Sequence, residues 1–302
     1  MDKMKKLGLT ALAGSLVATS AYAGEMSVTG SAKVTYVSQD EKEVTGNSFS
    51  NSKGLTFSGS GDLDNGMSVS TSYTMTDGAF SASNVIVDMG DSGTIGLYNG
   101  AAGGGIGLYN DKMPTAGEQV WDDVDTDDNG VAGISNTNNL AYNATFGSIT
   151  VSAQYVNDGS GAESDSSWAL AHSGLVDGLN VGVSMADDGS ATDESTAWVT
   201  YTVGGITAGY QRTDIDYSGS TNDEERNHIA ASVAINENLS VSYGRSEVDM
   251  GSGKVDEESS GVSASYTMGS ITVAAISNAT DNVAGTSGTD DTYKELSVAF
   301  AF

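Results

Sequence analysis

Between positions 111 and 128 the chain gathers seven carboxylates, Asp111, Glu118, Asp122, Asp123, Asp125, Asp127 and Asp128, with Lys112 as the only base among them. Side chains of this kind can bind a hard divalent cation, or they can set up a negative field that draws cations toward it. Asp125-Thr126-Asp127-Asp128-Asn129-Gly130 has the oxygen ligands and turn glycine of a calcium loop. The last ligand position falls on Asn136 or Thr137 where Glu is required, and the flanks lack helical pattern, which argues against an EF-hand. A structural Ca²⁺ stays open, as does the plainer reading of a solvated acidic loop. His172 and His228 each stand alone in a chain without Cys, so no zinc ligand set and no nucleophile-base pair can be assembled. Gly-x-Ser-x-Gly strings carry little information in a chain with 39 Gly. No catalytic residue, metal ligand set or cofactor is expected, and the chain does not read as an enzyme.

The charge balance narrows the partners. Net charge is −28 over 302 residues, and leaving out Asp2, Lys3, Lys5 and Lys6 gives 39 acidic against 9 basic residues, a net of −30. Phosphate neutralisation needs Lys and Arg, so nucleic acid is excluded and any charged solute should be a cation. Those three lysines precede an apolar stretch from Leu7 to Ala18 and then Ala21-Tyr22-Ala23, a small-x-small cleavage pattern. Residues 1–23 therefore read as a cleavable signal peptide, and 24–302 as the exported protein. The apolar stretch falls short of the about 20 residues that cross a bilayer as a helix. Without Cys, an exported chain must be held by hydrogen-bonded ladders, packing or bound ions.

The elements that would carry the acidic run are strands. Apolar residues fall on alternate positions in sixteen segments, from Met26/Val28/Gly30/Ala32/Val34/Tyr36 to Leu296/Val298/Phe300/Phe302, the mark of strands with one apolar and one polar face. Tight turns are expected at 64–66, 90–93, 147–148, 176–178, 204–205, 236–238 and 269–270, where Gly, Asn and Asp reach positive φ cheaply. Longer polar loops fall near 38–52, 76–81, 99–137, 157–165, 187–193, 214–223, 247–257 and 278–291. Short turns alternating with long loops are the layout of a transmembrane β-barrel, with short periplasmic turns and longer external loops. The polar face is Ser, Thr, Gly and Asn, too small and wet for a packed core, and about sixteen strands leave an aqueous lumen. Tyr36, Tyr73, Tyr142, Tyr155, Tyr201, Tyr210, Tyr243 and Tyr266 share the outward parity near strand ends, as an interfacial girdle does. A soluble sandwich, solenoid or surface-layer protein explains the alternation but not this girdle or the aromatic terminus.

The leader, the sixteen segments, the long third loop and Phe302 together resemble the general-diffusion porins of Gram-negative bacteria, most of all the small, acidic, Gly-rich alphaproteobacterial type. The resemblance spans the mature chain and rests on layout rather than on a signature string. It implies an all-β, 16-stranded antiparallel barrel in the outer membrane and a homotrimer. It also implies a third loop, 99–137, folded into the lumen. The terminal strand, with Leu296, Val298, Phe300 and Phe302, resembles the signal read by the barrel-assembly machinery. Such porins set basic wall residues opposite an acidic loop, and here Lys33 and Arg226 have inward parity, whereas Lys53, Arg212, Arg245 and Lys294 face out. That thin basic set favours cations.

The expected function is passive diffusion of small hydrophilic solutes through a wet pore, with cations preferred. Asp111, Glu118, Asp122, Asp123, Asp125, Asp127, Asp128, Lys33 and Arg226 should line the constriction. The second reading is an exported acidic β-rich surface or adhesion protein stabilised by calcium. Trp198 has inward parity against its apolar neighbours and marks either a bulge or a pore-facing aromatic. Gly30, Ala32, Gly59 and Gly61 are small outward residues, suited to a subunit contact or simply products of a Gly-rich composition.

Overall fold

A computed structural model describes residues 26–40, 47–122, 130–157, 163–189, 192–219, 223–251 and 253–302. The expected signal peptide and Asp123, Asp125, Asp127 and Asp128 lie outside the described residues. The first eight strands are β1 Met26–Asp40, β2 Phe49–Asp62, β3 Ser68–Thr76, β4 Ala79–Asp88, β5 Thr94–Asn99, β6 Asn139–Phe146, β7 Ile149–Val156 and β8 Asp165–Ser173. The second eight are β9 Leu179–Asp187, β10 Thr192–Val203, β11 Ile206–Tyr217, β12 Glu224–Ala234, β13 Leu239–Asp249, β14 Glu257–Met268, β15 Ile271–Asp281 and β16 Asp291–Ala301. Each strand pairs antiparallel with its neighbours in sequence, and β16 returns to β1 to close the barrel. Closure satisfies every strand's backbone within the sheet, the condition for crossing a lipid bilayer with strands. No helix among the described residues is long and apolar enough to cross one.

Side-chain parity follows the expected pattern. Val28, Val34, Leu55, Phe57, Val183, Ile229, Val262 and Leu296 are exposed on the outside, and so are seven of the eight girdle tyrosines; Tyr142 is half-buried with its hydroxyl on Ser92 O at 2.8 Å. An apolar belt of this extent has no place on a soluble exported protein, where exposed apolar patches are small.

Every expected long loop except 99–137 comes out shorter between the strands, and two of them show why. The connection anticipated at 76–81 is a tight turn of Asp77 and Gly78, both at positive φ (51° and 85°), which is the twist that suits a two-residue hairpin. A register shift at Thr74/Met75 accommodates it. The connection after β9 likewise shrinks to residues 188–191 because polar residues beyond the apolar alternation still pair. Periodicity marks the lipid-facing part of a strand, whereas the hydrogen-bonded ladder runs on past it into water.

The core is off-axis. Buried lumen-facing polar residues crowd β6 to β16, among them Gln154, Ser184, Gln211, Thr213, Ser259 and Asn278, while those of β2 to β4 are only half-buried or exposed. The described parts of the long connection between β5 and β6, residues 100–122 and 130–138, lie on the first wall rather than the second.

Candidate pore constriction

The loop turns inward because the chain leaves β5 through Gly100 (φ 79°) and then lies flat on the wall. At Gly105 the backbone has φ 63°, and a Cβ there would land on Ser167 Oγ. Glycine alone allows that approach. A backbone carried into the lumen must find partners for its N–H and C=O groups. The wall provides them in sequence: Gly105 N donates to Ser152 Oγ (2.7 Å), Gln211 Nε2 to Tyr109 O (2.9 Å), and Thr213 Oγ1 to Gly130 O (2.6 Å). Further along, Ala116 N donates to Ser242 Oγ (2.9 Å) and Asn278 Nδ2 to Gln119 O (3.0 Å). On the return, Ala132 N and Gly133 N both donate to the Glu194 carboxylate at 2.8 Å.

Apolar side chains fill the seam between loop and wall. Ile106, Tyr109 and Val131 pack with Ala169 and Ala186, and Met113, Val120 and Trp121 with Ala230. Trp198 faces the lumen with no bulge in its pairing, its ring edge-on to Tyr109 at 5.4 Å. Trp121 lies on His228, ring centroids 4.2 Å apart. Of these anchors the sequence flagged only Trp198, by its inward parity; the same signal, a large or amide-bearing residue at a lumen-facing position where small residues are usual, was available at Gln211, His228 and Asn278.

Three loop carboxylates are described. Asp111 is exposed, Glu118 and Asp122 half-buried. Asp122 accepts a hydrogen bond from Gln119 N at 2.8 Å. Its pKa is pushed up to about 6 by burial, against the pull of that N–H, with the negative charges of Asp111 and Glu118 adding to the rise. Asp111, only partly covered, is also raised by the loss of solvent around it, against the pull of the Lys112 charge. Lys112 is lowered by burial, and its ammonium sits 5.2 Å from the Tyr109 ring and 5.4 Å from that of Trp198.

The two bases separate. Lys33 meets Glu118 at 3.0 Å and Glu295 at 2.8 Å, at the seam between β1 and β16. Arg226 does not stand across the pore from the loop: it lies on β12, on the wall the loop covers, 5 % exposed and paired with Glu224 at 2.7 Å. The open wall facing the loop carries Ser31, Ser52, Thr56, Ser58, Ser70, Ser72, Thr74 and Asn84 at lumen-facing positions, paired across strands as Thr56 with Thr74 and Ser58 with Ser72. The described charges around the opening are thus Asp111, Glu118, Asp122 and Glu295 against Lys33 and Lys112.

Leu296, Val298 and Phe300 point outward on β16, and Phe302 closes the ring by exchanging two backbone hydrogen bonds with Gly30, 2.6 and 2.9 Å. Among the described residues, no group of three or more His, Cys, Asp or Glu side chains is placed to hold a metal ion. Residues 125–129 of the calcium-like string lie outside the described residues.

The fold has solved counterparts. A variant of Rhodopseudomonas blastica porin with two introduced tryptophans superposes with a TM-score of 0.68 at 14 % identity, covering 92 % of this chain and 100 % of that one. Another variant of the same porin, with two acidic residues replaced by alanine, gives 0.68 at 15 % identity over the same shares. At this identity the likeness concerns the fold. A search of curated protein sequences finds no match. A profile of the Gram-negative porins matches residues 8–302, essentially the whole chain. With its closed sixteen-stranded barrel, apolar belt and infolded third loop, the chain belongs to the Gram-negative porin family and is an outer-membrane channel.

Proposed function

We propose that this porin passes small hydrophilic solutes by passive diffusion and prefers cations. The observation that supports the preference is the contrast across the opening: carboxylates on the loop, and neutral hydroxyls on the wall they face. A constriction with charges of one sign selects the opposite ion, because low-dielectric walls focus the field. Lys33 is offset by two carboxylates and Lys112 lies between rings with Asp111 beside it, so neither base makes an anion path. Hydroxyls donate and accept, which lets a neutral polar solute exchange its water shell for the wall without being trapped. No bond is made or broken, and no side chain acts as a catalyst.

The same reading covers assembly. Residues 1–23 direct export and are removed. Ala32, Gly59 and Gly61, together with Gly30 under the ring of Phe302, offer an outer face of small residues on β1 and β2 for a homotrimer. The terminal strand with Leu296, Val298, Phe300 and Phe302 addresses the chain to the assembly machinery. A structural Ca²⁺ at residues 125–130 belongs to this proposal only as a stabiliser of the loop.

Reversal potentials in a planar bilayer under a KCl gradient test the preference. The wild type should show potassium favoured over chloride, and the triple variant D111N/E118Q/D122N should lose most of that bias while still conducting. An unchanged reversal potential in the triple variant removes these carboxylates from the selectivity.

A further inference from the structure

Just beyond β16 from the small-residue face of β1 and β2, the lipid-facing wall is indented. A hollow of about 570 Å³ crosses β11 to β15, lined among others by Ala231, Val241, Tyr243, Ala264, Ala275 and Ser277. The strand register explains it. Val241 pairs with Ala264, Ala264 with Ala275, and Ala275 with Leu296, so two alanines lie between two large side chains. Val241 and Leu296 stand three strand spacings apart, about 14 Å, and the trough between them has a methyl-deep floor.

Two residues further toward the long-loop end, the same strands change character. Tyr243 pairs with Val262, Val262 with Ser277, and Ser277 with Lys294. In the next row Arg245 pairs with Ser260. The apolar trough therefore ends in two hydroxyls flanked by two outward bases. Lys294 is exposed and has no ion pair or hydrogen bond among the described residues. Arg245 shares its guanidinium with Glu258 at 2.5 Å and stands 3.9 Å from Glu247. The Arg245 charge is thus matched by carboxylates, and the apolar slot ends in the unpaired Lys294 ammonium beside the Ser277 hydroxyl at the level of the tyrosine girdle, the polarity of an amphiphile with an anionic head. Basic residues near a bilayer surface attract anionic headgroups, and hydroxyls supply the hydrogen bonds a phosphate accepts.

We propose that this trough is a lipid site: an acyl chain lies over Ala264 and Ala275, and the phosphate of the same lipid's headgroup is held by Lys294, with Ser277 beside it. The occupant is a membrane lipid carrying a phosphate headgroup, held in place rather than exchanging freely with the bulk bilayer.

The test uses the full-length porin, stripped of lipid in detergent and probed by native mass spectrometry. Three probes are added separately: dioleoyl phosphatidylglycerol, dioleoylglycerol with the same chains and no phosphate, and inorganic phosphate. Phosphatidylglycerol should give a discrete adduct, and the other two should not. Lys294→Gln should weaken that adduct about fivefold, the effect of one base beside an anionic headgroup. Ala264→Phe, which fills the floor, should abolish it, and Lys294→Arg should keep it. All three variants face away from the lumen and should conduct as the wild type does, which confirms that they fold. Equal binding of dioleoylglycerol, an adduct indifferent to Lys294→Gln, or saturation by inorganic phosphate alone would each overturn the proposal; should Ala264→Phe fail to fold, the Lys294 pair of variants decides it.

Discussion

Lys33 on β1 bonds Glu118 of the infolded loop at 3.0 Å and Glu295 of β16 at 2.8 Å, so a single ammonium ties the loop to the seam where the barrel closes. The two partners differ in burial: the Glu118 side chain is 33 % exposed and that of Glu295 is 4 %. Removing Lys33 leaves Glu295 as a buried charge without its cation, whereas removing Glu118 opens a half-solvated contact. Lys33→Met should therefore cost about 3 kcal/mol, in the range for breaking a buried pair from one side. Glu118→Gln should cost under about 1 kcal/mol. Thermal melts in detergent rank the two, and Lys33→Met/Glu295→Gln should recover most of the loss. Equal melting of both single variants would show Glu295 to be well solvated.

The opening should respond to mild acid. With its pKa raised to about 6, chiefly by burial, Asp122 is charged above that value and neutral below it. Potassium preference should therefore fall as pH drops from about 7.5 to 5. Asp122→Asn should flatten that step and sit near the acid limit at every pH. The stability sign is opposite to that of an ion-paired carboxylate. A folded pKa above the unfolded one favours the folded state at low pH, and the advantage is lost as pH rises through about 6. Asp122→Asn should then melt at the same temperature or slightly higher at pH 7.5. A potassium preference that is level across this pH range would exclude Asp122 from the field in the pore.

Gly105 decides how closely the loop lies on the wall. With φ at 63° and Ser167 Oγ where a Cβ would be, Gly105→Val has to lift the backbone. The hydrogen bonds from Gly105 N to Ser152 and from Ile106 N to Ser167 should then break, and Ile106, now fully buried, should lose its packing. Single-channel recordings should show altered mean conductance and added noise, with the barrel itself intact by heat-modified gel mobility. Quiet channels of wild-type conductance would mean that the remaining anchors hold the loop unaided.

Most of this architecture was legible in the residues because lipid and water impose a strict period of two. Val28, Leu55, Ile229 and Leu296 have no freedom to be polar, so sixteen strands stand out. The Asp77-Gly78 turn was missed because clear apolar alternation stops at Met75 and resumes only at Val85, although the ladder continues between them. The loop was recognisable by its length and charge, but its path was not. Gln211, Glu194 and Asn278 bind its backbone from strands roughly 60 to 160 residues away, and period two does not encode such partners. Arg226 illustrates the limit: inward parity is correctly read, yet whether an inward residue meets solute or lies under the loop depends on where the loop rests.

The terminal Phe302 invites a test that separates packing from recognition. Its ring lies against Gly30, where a Cβ would come within 2.6 Å of Cζ, and its backbone completes the ladder across the seam. Gly30→Val keeps the terminal aromatic and displaces it, whereas deleting Phe302 removes both the ring and two hydrogen bonds. If the residue acts mainly by packing, both variants should refold more slowly and melt lower in detergent, to a similar extent. If it acts mainly as an assembly signal, the deletion should refold normally in detergent but reach the outer membrane poorly in cells, while Gly30→Val should reach it at wild-type levels. The contact geometry favours a contribution from both, so the deletion is expected to be the worse of the two in cells and only equal to Gly30→Val in the tube.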